Sequence, residues 1–156
     1  MSIRPARPDE APRLAAIVEA AYGPWVPVVG RRPFPMQDDY AARIAAGQAW
    51  VLEAEGTIAG LVVIEQEADH LMLDNIAIDP ARQGRGDGRI LLDFVEAEAR
   101  RRSLPEVRLY TNVLMDRNIA LYARRGYAET ERRQEKGFAR VFMTKTLSGS
   151  AATAPR

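Results

Sequence analysis

A chain of 156 residues with a formal net charge of +1, no cysteine and a single histidine excludes several chemistries at once. That length suits one domain able to bury roughly 70% of the surface its unfolded form exposes, so a core forms without covalent staples. Disulfides and thiolate nucleophiles are ruled out. His70 alone cannot build the usual zinc site, so no metal is expected, and a near-neutral charge gives no global drive toward nucleic acid or membrane.

The N-terminal stretch carries no apolar leader-like run, and no segment approaches the roughly 20 apolar residues a membrane span requires, which predicts a cytoplasmic protein. After a short extended start, Asp9 is the expected cap of a first helix in which Leu14, Ile17, Val18, Ala21 and Tyr22 recur at helical spacing as far as Gly23. The proline-rich run from Pro24 to Pro35 reads as an ordered loop rather than regular helix, carrying Trp25 and Phe34. A second short helix follows in "MQDDYAARIAAG" and stops at Gly47.

Residues 48–79 hold runs of β-branched and apolar residues broken at Glu55-Gly56 and at Glu67-Ala68-Asp69, which predicts an antiparallel three-stranded meander. His70, at the second break, is expected to face solvent. The next helix is the best marked: Ile90, Leu91, Phe94 and Val95 make an apolar face, with Arg89, Asp93, Glu96 and Arg100 opposite. Spacing pairs Arg89 with Asp93 and Glu96 with Arg100 on that outer face. Pro105 closes the region, "EVRLYTNV" alternates as a strand, "DRNIALYARRG" is a helix ended by Gly126, and "YAETERR" with "FARVFMTKTL" forms a hairpin. The last nine residues, 148–156, read as a flexible tail. There is no repeat and no linker, so a single α/β domain is expected.

Between the meander and the marked helix lies "PARQGRGDGRILL". A glycine-rich turn that feeds a helix N-terminus aims unpaired N–H groups and the positive end of the helix dipole at one spot, which attracts phosphate. Gly84, Gly86 and Gly88 allow positive φ and close approach, and Arg82, Arg85 and Arg89 add charged donors. A plain glycine turn with solvated arginines accounts for the same letters. The dinucleotide pattern GxGxxG, begun at Gly84, needs glycine where Arg89 stands, and the Walker A ending is absent. An adhesion role for Arg85-Gly86-Asp87 would need a secreted protein.

Gln83 to Gly88 does read QxxGxG, directly after a strand ending "IAIDP". This resembles the acyl-coenzyme A motif of the GNAT N-acetyltransferase superfamily. "IALYARRGY" is similar to that family's LYxxxGF stretch, and together with the order of elements and the closing hairpin the resemblance covers residues 2–147. It implies a GNAT-like α/β (α+β) domain over residues 1–147: a mixed, mostly antiparallel twisted sheet of about seven strands, about four flanking helices, and a splay beside the cofactor-binding strand.

The resemblance further implies acetyl-coenzyme A as acyl donor. The backbone of Gln83, Gly84, Arg85, Gly86, Asp87, Gly88 and Arg89 would hold the diphosphate, and that of Ile76, Ala77 and Ile78 would run along the pantetheine arm. The side chains of Ile76 and Ile78 are expected in the core. Tyr122, at the tyrosine of the LY pair, would be the general acid for the thiolate, although an amphipathic helix also buries a tyrosine for packing alone. Asn118 shares its helical face and would reach the cofactor; many members instead carry asparagine where this chain has Met115.

Acyl transfer to an amine also needs a neutral nitrogen, and Asp74, of the same strand parity as Ile76 and Ile78, is the first suspect for the base. It reads equally as an anion that holds the amine or as a solvated strand-end carboxylate. Tyr22, Trp25, Phe34 and Tyr40 are expected to line the acceptor pocket, with Asp38 or Asp39 attracting the amine, or else to anchor the proline-rich segment. Asp87 is a misfit, because the family usually has an uncharged residue between the last two glycines; its side chain is expected to point away from the phosphates. The function implied is an N-acetyltransferase acting on a small amine or a peptide or protein amine, with room for a homodimer. The alternative is a catalytically degenerate member that binds coenzyme A as a sensor.

Overall fold

The computed structural model describes Met1–Leu147, so the expected tail at 148–156 lies outside the described residues. Seven strands form one mixed sheet in the order β1-β2-β3-β4-β5-β7-β6. They are β1 (Ser2–Pro5), β2 (Ala49–Ala54), β3 (Thr57–Gln66), β4 (Leu71–Ile78), β5 (Glu106–Asn112), β6 (Ala128–Glu135) and β7 (Phe138–Thr146). The helices are α1 (Ala11–Tyr22), the single-turn α2 (Val26–Val29), α3 (Tyr40–Ala45), α4 (Asp87–Arg101) and α5 (Asp116–Arg124). No helix among the described residues is long and apolar enough to cross a membrane. Two compact units are distinguished, Met1–Ile64 with Asp74–Phe94, and Glu65–Leu73 with Val95 onward; β4 and α4 each contribute to both.

In the first unit β1, β2 and β3 pair antiparallel in sequence order. Leu14, Ile17 and Val18 of α1 pack with Val51, Leu61 and Val63 of the strands, the stripe that their spacing predicts. Asp9 is not the helix cap. It lies inside a 3-10 turn over Pro8–Glu10, and Glu10, at the N-cap of α1, makes no side-chain cap bond to that helix. Its Oε1 instead accepts from the Arg7 amide at 2.8 Å at the start of the 3-10 turn, while its Oε2 accepts from Arg4 Nη2 at 2.8 Å. Hydrogen bonding from Arg4, aided by the Arg7 amide, holds the Glu10 carboxyl down at about 2 against its desolvation.

The proline-rich segment is not a plain loop. Short 3-10 turns cover Gly23–Trp25 and Phe34–Gln37, and α2 ends at Gly30 with φ of 89°. Pro24, Pro27 and Pro35 stand in the first positions of a turn, where the missing N–H leaves no bond unmade, and Pro33 is the N-cap of the last turn. Helix α3 starts at Tyr40 rather than near Met36, because Asp39 accepts from the Ala42 amide at 3.1 Å and sets the cap.

Gly60 of β3 allows a close approach inside the unit: a Cβ there would lie 2.8 Å from the Ala77 carbonyl oxygen and 2.9 Å from Ile78 Cδ1. The second half of β4 therefore lies tight against a glycine.

In the second unit, β4 pairs with β5 parallel through Leu71–Leu73 only, out of its eight residues. β5 and β6 both pair antiparallel with β7. Val107, Leu109, Val141 and Met143 are buried and form that unit's apolar layer. β6 ends the sheet with Glu129, Glu131, Arg132 and Arg133 exposed, the charged dressing that keeps an edge strand from recruiting another chain.

Candidate active site

The site begins where β4 runs into the glycine loop. Asp79 accepts from the Ala81 amide at 3.0 Å and from Arg13 Nη2 at 2.7 Å, which fixes the 3-10 turn Pro80–Arg82. The chain then loosens. Gly84 and Gly86 take φ of 86° and 82°, a region where a side chain is strained, whereas Gly88 has no positive φ and lies in the first turn of α4. Apart from the adjoining residues of the chain and the helix's own backbone, no described atom lies within 4 Å of the Cβ position at any of the three.

Ile90 donates to the Gly86 carbonyl at 3.2 Å as α4 begins. The amides of residues 84–89 come before that first helical bond and have no backbone acceptor among the described residues. Arg85 and Arg89 are exposed and form no ion pair among the described residues. Arg82 differs from the expectation of three free arginines: its Nε donates to Asp87 Oδ2 at 2.9 Å and its Nη1 to Glu55 Oε1 at 3.2 Å. Asp87 is 2% exposed, so the misfit carboxylate is turned into the protein.

On β4 the buried face carries Leu73, Asn75 and Ala77, while Asp74, Ile76 and Ile78 are half-buried. The solvated reading of Asp74 fails: its side chain is 9% exposed and its Oδ2 lies 3.6 Å from Arg43 Nη1. The expected acceptor-side aromatics divide. Tyr40 is a core residue whose hydroxyl donates to the Pro35 carbonyl at 2.6 Å and accepts from Asn75 Nδ2 at 2.9 Å. It does not line an open pocket. Tyr22 is half-buried, with its hydroxyl 2.8 Å from Asn75 Oδ1 and 3.2 Å from the Ile76 carbonyl oxygen. Trp25 and Phe34 are half-buried. Asp38 pairs with Arg43 at 2.9 Å and Asp39 caps α3, so both have partners inside the protein.

In the second unit Tyr122 is the buried residue of α5, 6% exposed. Its hydroxyl makes no hydrogen bond among the described residues, and burial raises its pKa above the ordinary tyrosine value. Its carbonyl accepts from the Arg125 and Tyr127 amides at 3.0 Å each, and its ring meets that of Tyr127 edge-on at 6.0 Å. Asn118 is half-buried one turn earlier on the same helix. Met115 is 3% exposed and takes a weak hydrogen bond from Thr111 Oγ1 at 3.7 Å, so that position is packing. His70 is buried instead of solvent-facing, with Nδ1 2.8 Å from Asp69 Oδ1.

Glu96 is what spacing along the helix misplaces. Expected on the outer face beside Arg100, it is 4% exposed and gathers three donors: Arg125 Nε at 3.0 Å, Tyr127 Oη at 2.9 Å and Lys145 Nζ at 2.9 Å. Desolvation would raise its pKa, but Arg125, Lys145 and Tyr127 outweigh that and hold the carboxyl below its ordinary value. The tyrosine in "RRGY", where the family motif has Phe, was the one local sign of a buried polar partner.

A family model described as "Acetyltransferase (GNAT) family" matches residues 14–127. An IAA acetyltransferase of Azospirillum brasilense is 32% identical over 81 residues, and the chain spans about half the length of that relative, 53%, with 51% of its own. Among solved structures, the PaiA N-acetyltransferase of Thermoplasma acidophilum in complex with coenzyme A is similar at a TM-score of 0.79 and 16% identity, over 94% of this chain and 98% of that one. A GNAT family acetyltransferase of Elizabethkingia anophelis with acetyl-CoA bound gives a TM-score of 0.67 at 18% identity, over 94% and 97%. At such identities these two speak for the fold. The family model covers most of the chain, from α1 to the start of β6, and by it this protein belongs to the GNAT acetyltransferase family.

Proposed function

We propose that this protein is a cytoplasmic N-acetyltransferase that moves an acetyl group from acetyl-coenzyme A to a primary amine by direct attack. The observation that carries this reading is the run of amides at residues 84–89, which, among the described residues, have no backbone acceptors and are flanked by the guanidinium groups of Arg85 and Arg89 without ion-pair partners. A diphosphate suits that cradle. Space above Gly84, Gly86 and Gly88 is open, and the loop's one carboxylate is buried away from it. The backbone of Ile76, Ala77 and Ile78 and the side chain of Asn118 would hold the pantetheine arm.

The bound cofactor supplies an activated thioester. Tyr122 gives its phenolic proton to sulfur as the amine nitrogen bonds to the acetyl carbon and the carbon–sulfur bond breaks. Burial favours the neutral phenol, so Tyr122 is protonated at neutral pH and ready to donate. Its hydroxyl has no competing partner among the described residues. Asp74 receives, through water, the proton that the nitrogen sheds. Trp25 and Phe34, with the edge of Tyr22, border the acceptor.

Thiol release from acetyl-coenzyme A over a panel of small amines and peptides tests this. Tyr122→Phe should lower kcat about 100- to 10,000-fold, the usual range for a lost general acid or base, and leave coenzyme A binding intact. In a thermal-unfolding assay coenzyme A at about 100 times its Kd should add about 2.7 kcal/mol of stability. No stabilisation and no turnover would overturn the reading; binding without turnover would instead make the protein a coenzyme A-binding module.

A further inference from the structure

We propose that Arg82 and Asp87 form a clamp across the glycine loop, and that Asp87 is a positioning residue for the cofactor rather than an obstacle to it. This rests on the coenzyme A reading above. Arg82 is the last residue of the 3-10 turn and Asp87 the first of α4, so their contact at 2.9 Å ties together the two ends of Gln83–Gly86. The four tied residues are exposed, and two are glycines at positive φ. Such a stretch has unusual backbone freedom, and a fixed set of amide directions needs a constraint at both ends.

Two features separate a clamp from a phosphate ligand. The Arg82 side chain is 13% exposed and bound on both sides, by Asp87 and by Glu55 in the β2–β3 turn, so its guanidinium is engaged within the protein. Asp87 has a side chain 1% exposed, and its Oδ1 is buried with no hydrogen-bond partner. A buried acceptor left unpaired is a stability cost that an apolar residue would not carry. What the carboxylate adds at this position is therefore its bond to Arg82. The pair also offsets the negative charge beside an anion site, leaving Arg85 and Arg89 as the loop's free cations.

The test measures coenzyme A affinity by calorimetry and backbone amide exchange of residues 84–89 in the ligand-free protein. Asp87→Asn keeps the shape and removes the charge; it and Arg82→Met should each weaken coenzyme A about tenfold and speed exchange of the loop amides. The double variant should be no weaker than either single one, since both break the same contact. Arg82→Met should keep the wild-type dependence of affinity on salt, whereas Arg85→Met and Arg89→Met should flatten it, a difference a general loss of stability would not produce. Tighter binding by Asp87→Asn, additive losses in the double variant, or a flattened salt dependence in Arg82→Met would overturn the clamp. If the wild-type protein fails to bind coenzyme A, the cofactor reading falls, and loop exchange in the same variants still decides the clamp: unchanged rates refute it.

Discussion

Helix α4 buries three carboxylates, Asp87, Glu96 and Glu98, and the first two are treated differently. Asp87, in the first turn, has one cation and an unpartnered oxygen; Glu96, in the interior of the same helix, uses both oxygens on two cations and a phenol. The difference follows from position along the helix. The first turn exposes unpaired N–H groups and the positive end of the dipole, which stabilise an anion even where partners are few. An interior carboxylate has no such help, so the burial of Glu96 requires a full set of donors. Their partners divide along the same line: Asp87 bonds Arg82 across the glycine loop, and Glu96 collects side chains from Arg125 and Tyr127, whose amides bond the carbonyl of Tyr122.

That contrast is sharpest in stability. Glu96→Ala removes the carboxylate shared by two cations and a phenol and should cost about 3–5 kcal/mol in urea unfolding. A loss below about 1 kcal/mol would show that the two carboxylates are energetically alike. Asp87→Ala should cost less, about 1–2 kcal/mol, because Arg82 keeps Glu55 and an unsatisfied oxygen is removed with the charge.

Acid titration gives a smaller, graded effect. A carboxyl whose pKa is lower folded than unfolded contributes stability that is complete above its unfolded value and is lost as pH falls through the folded one. Both Glu96 and Glu10 behave this way, and for Glu10 the loss falls between 4.5 and about 2. Urea midpoints measured from neutral pH downward should therefore fall, and Glu96→Gln should remove part of the slope.

Much of this was legible along the chain. Runs of β-branched and apolar residues between polar breaks marked the meander, and alternation marked β5, because a strand half-buried on one face must repeat every two residues. The spacing of Ile90, Leu91, Phe94 and Val95 marked α4, and the glycines after a strand marked the turn that leads into it. The proline-rich segment was misjudged because proline breaks a helix interior yet suits the first turn, and three short turns in succession supply only first turns.

The local letters of this protein determined its elements and the glycine turn before α4, since period, capping and glycine conformations act over a few residues. Which polar groups are buried was decided only in three dimensions. Tyr40 left the acceptor pocket for the core when Asn75 met its hydroxyl, and Glu96 left the surface when Lys145, distant in sequence, reached it. Even Arg82 and Asp87, close neighbours along the chain, became a buried pair only because the loop between them folds back. A polar side chain is buried when donors or acceptors converge on it, and that convergence is a property of packed elements rather than of any one of them.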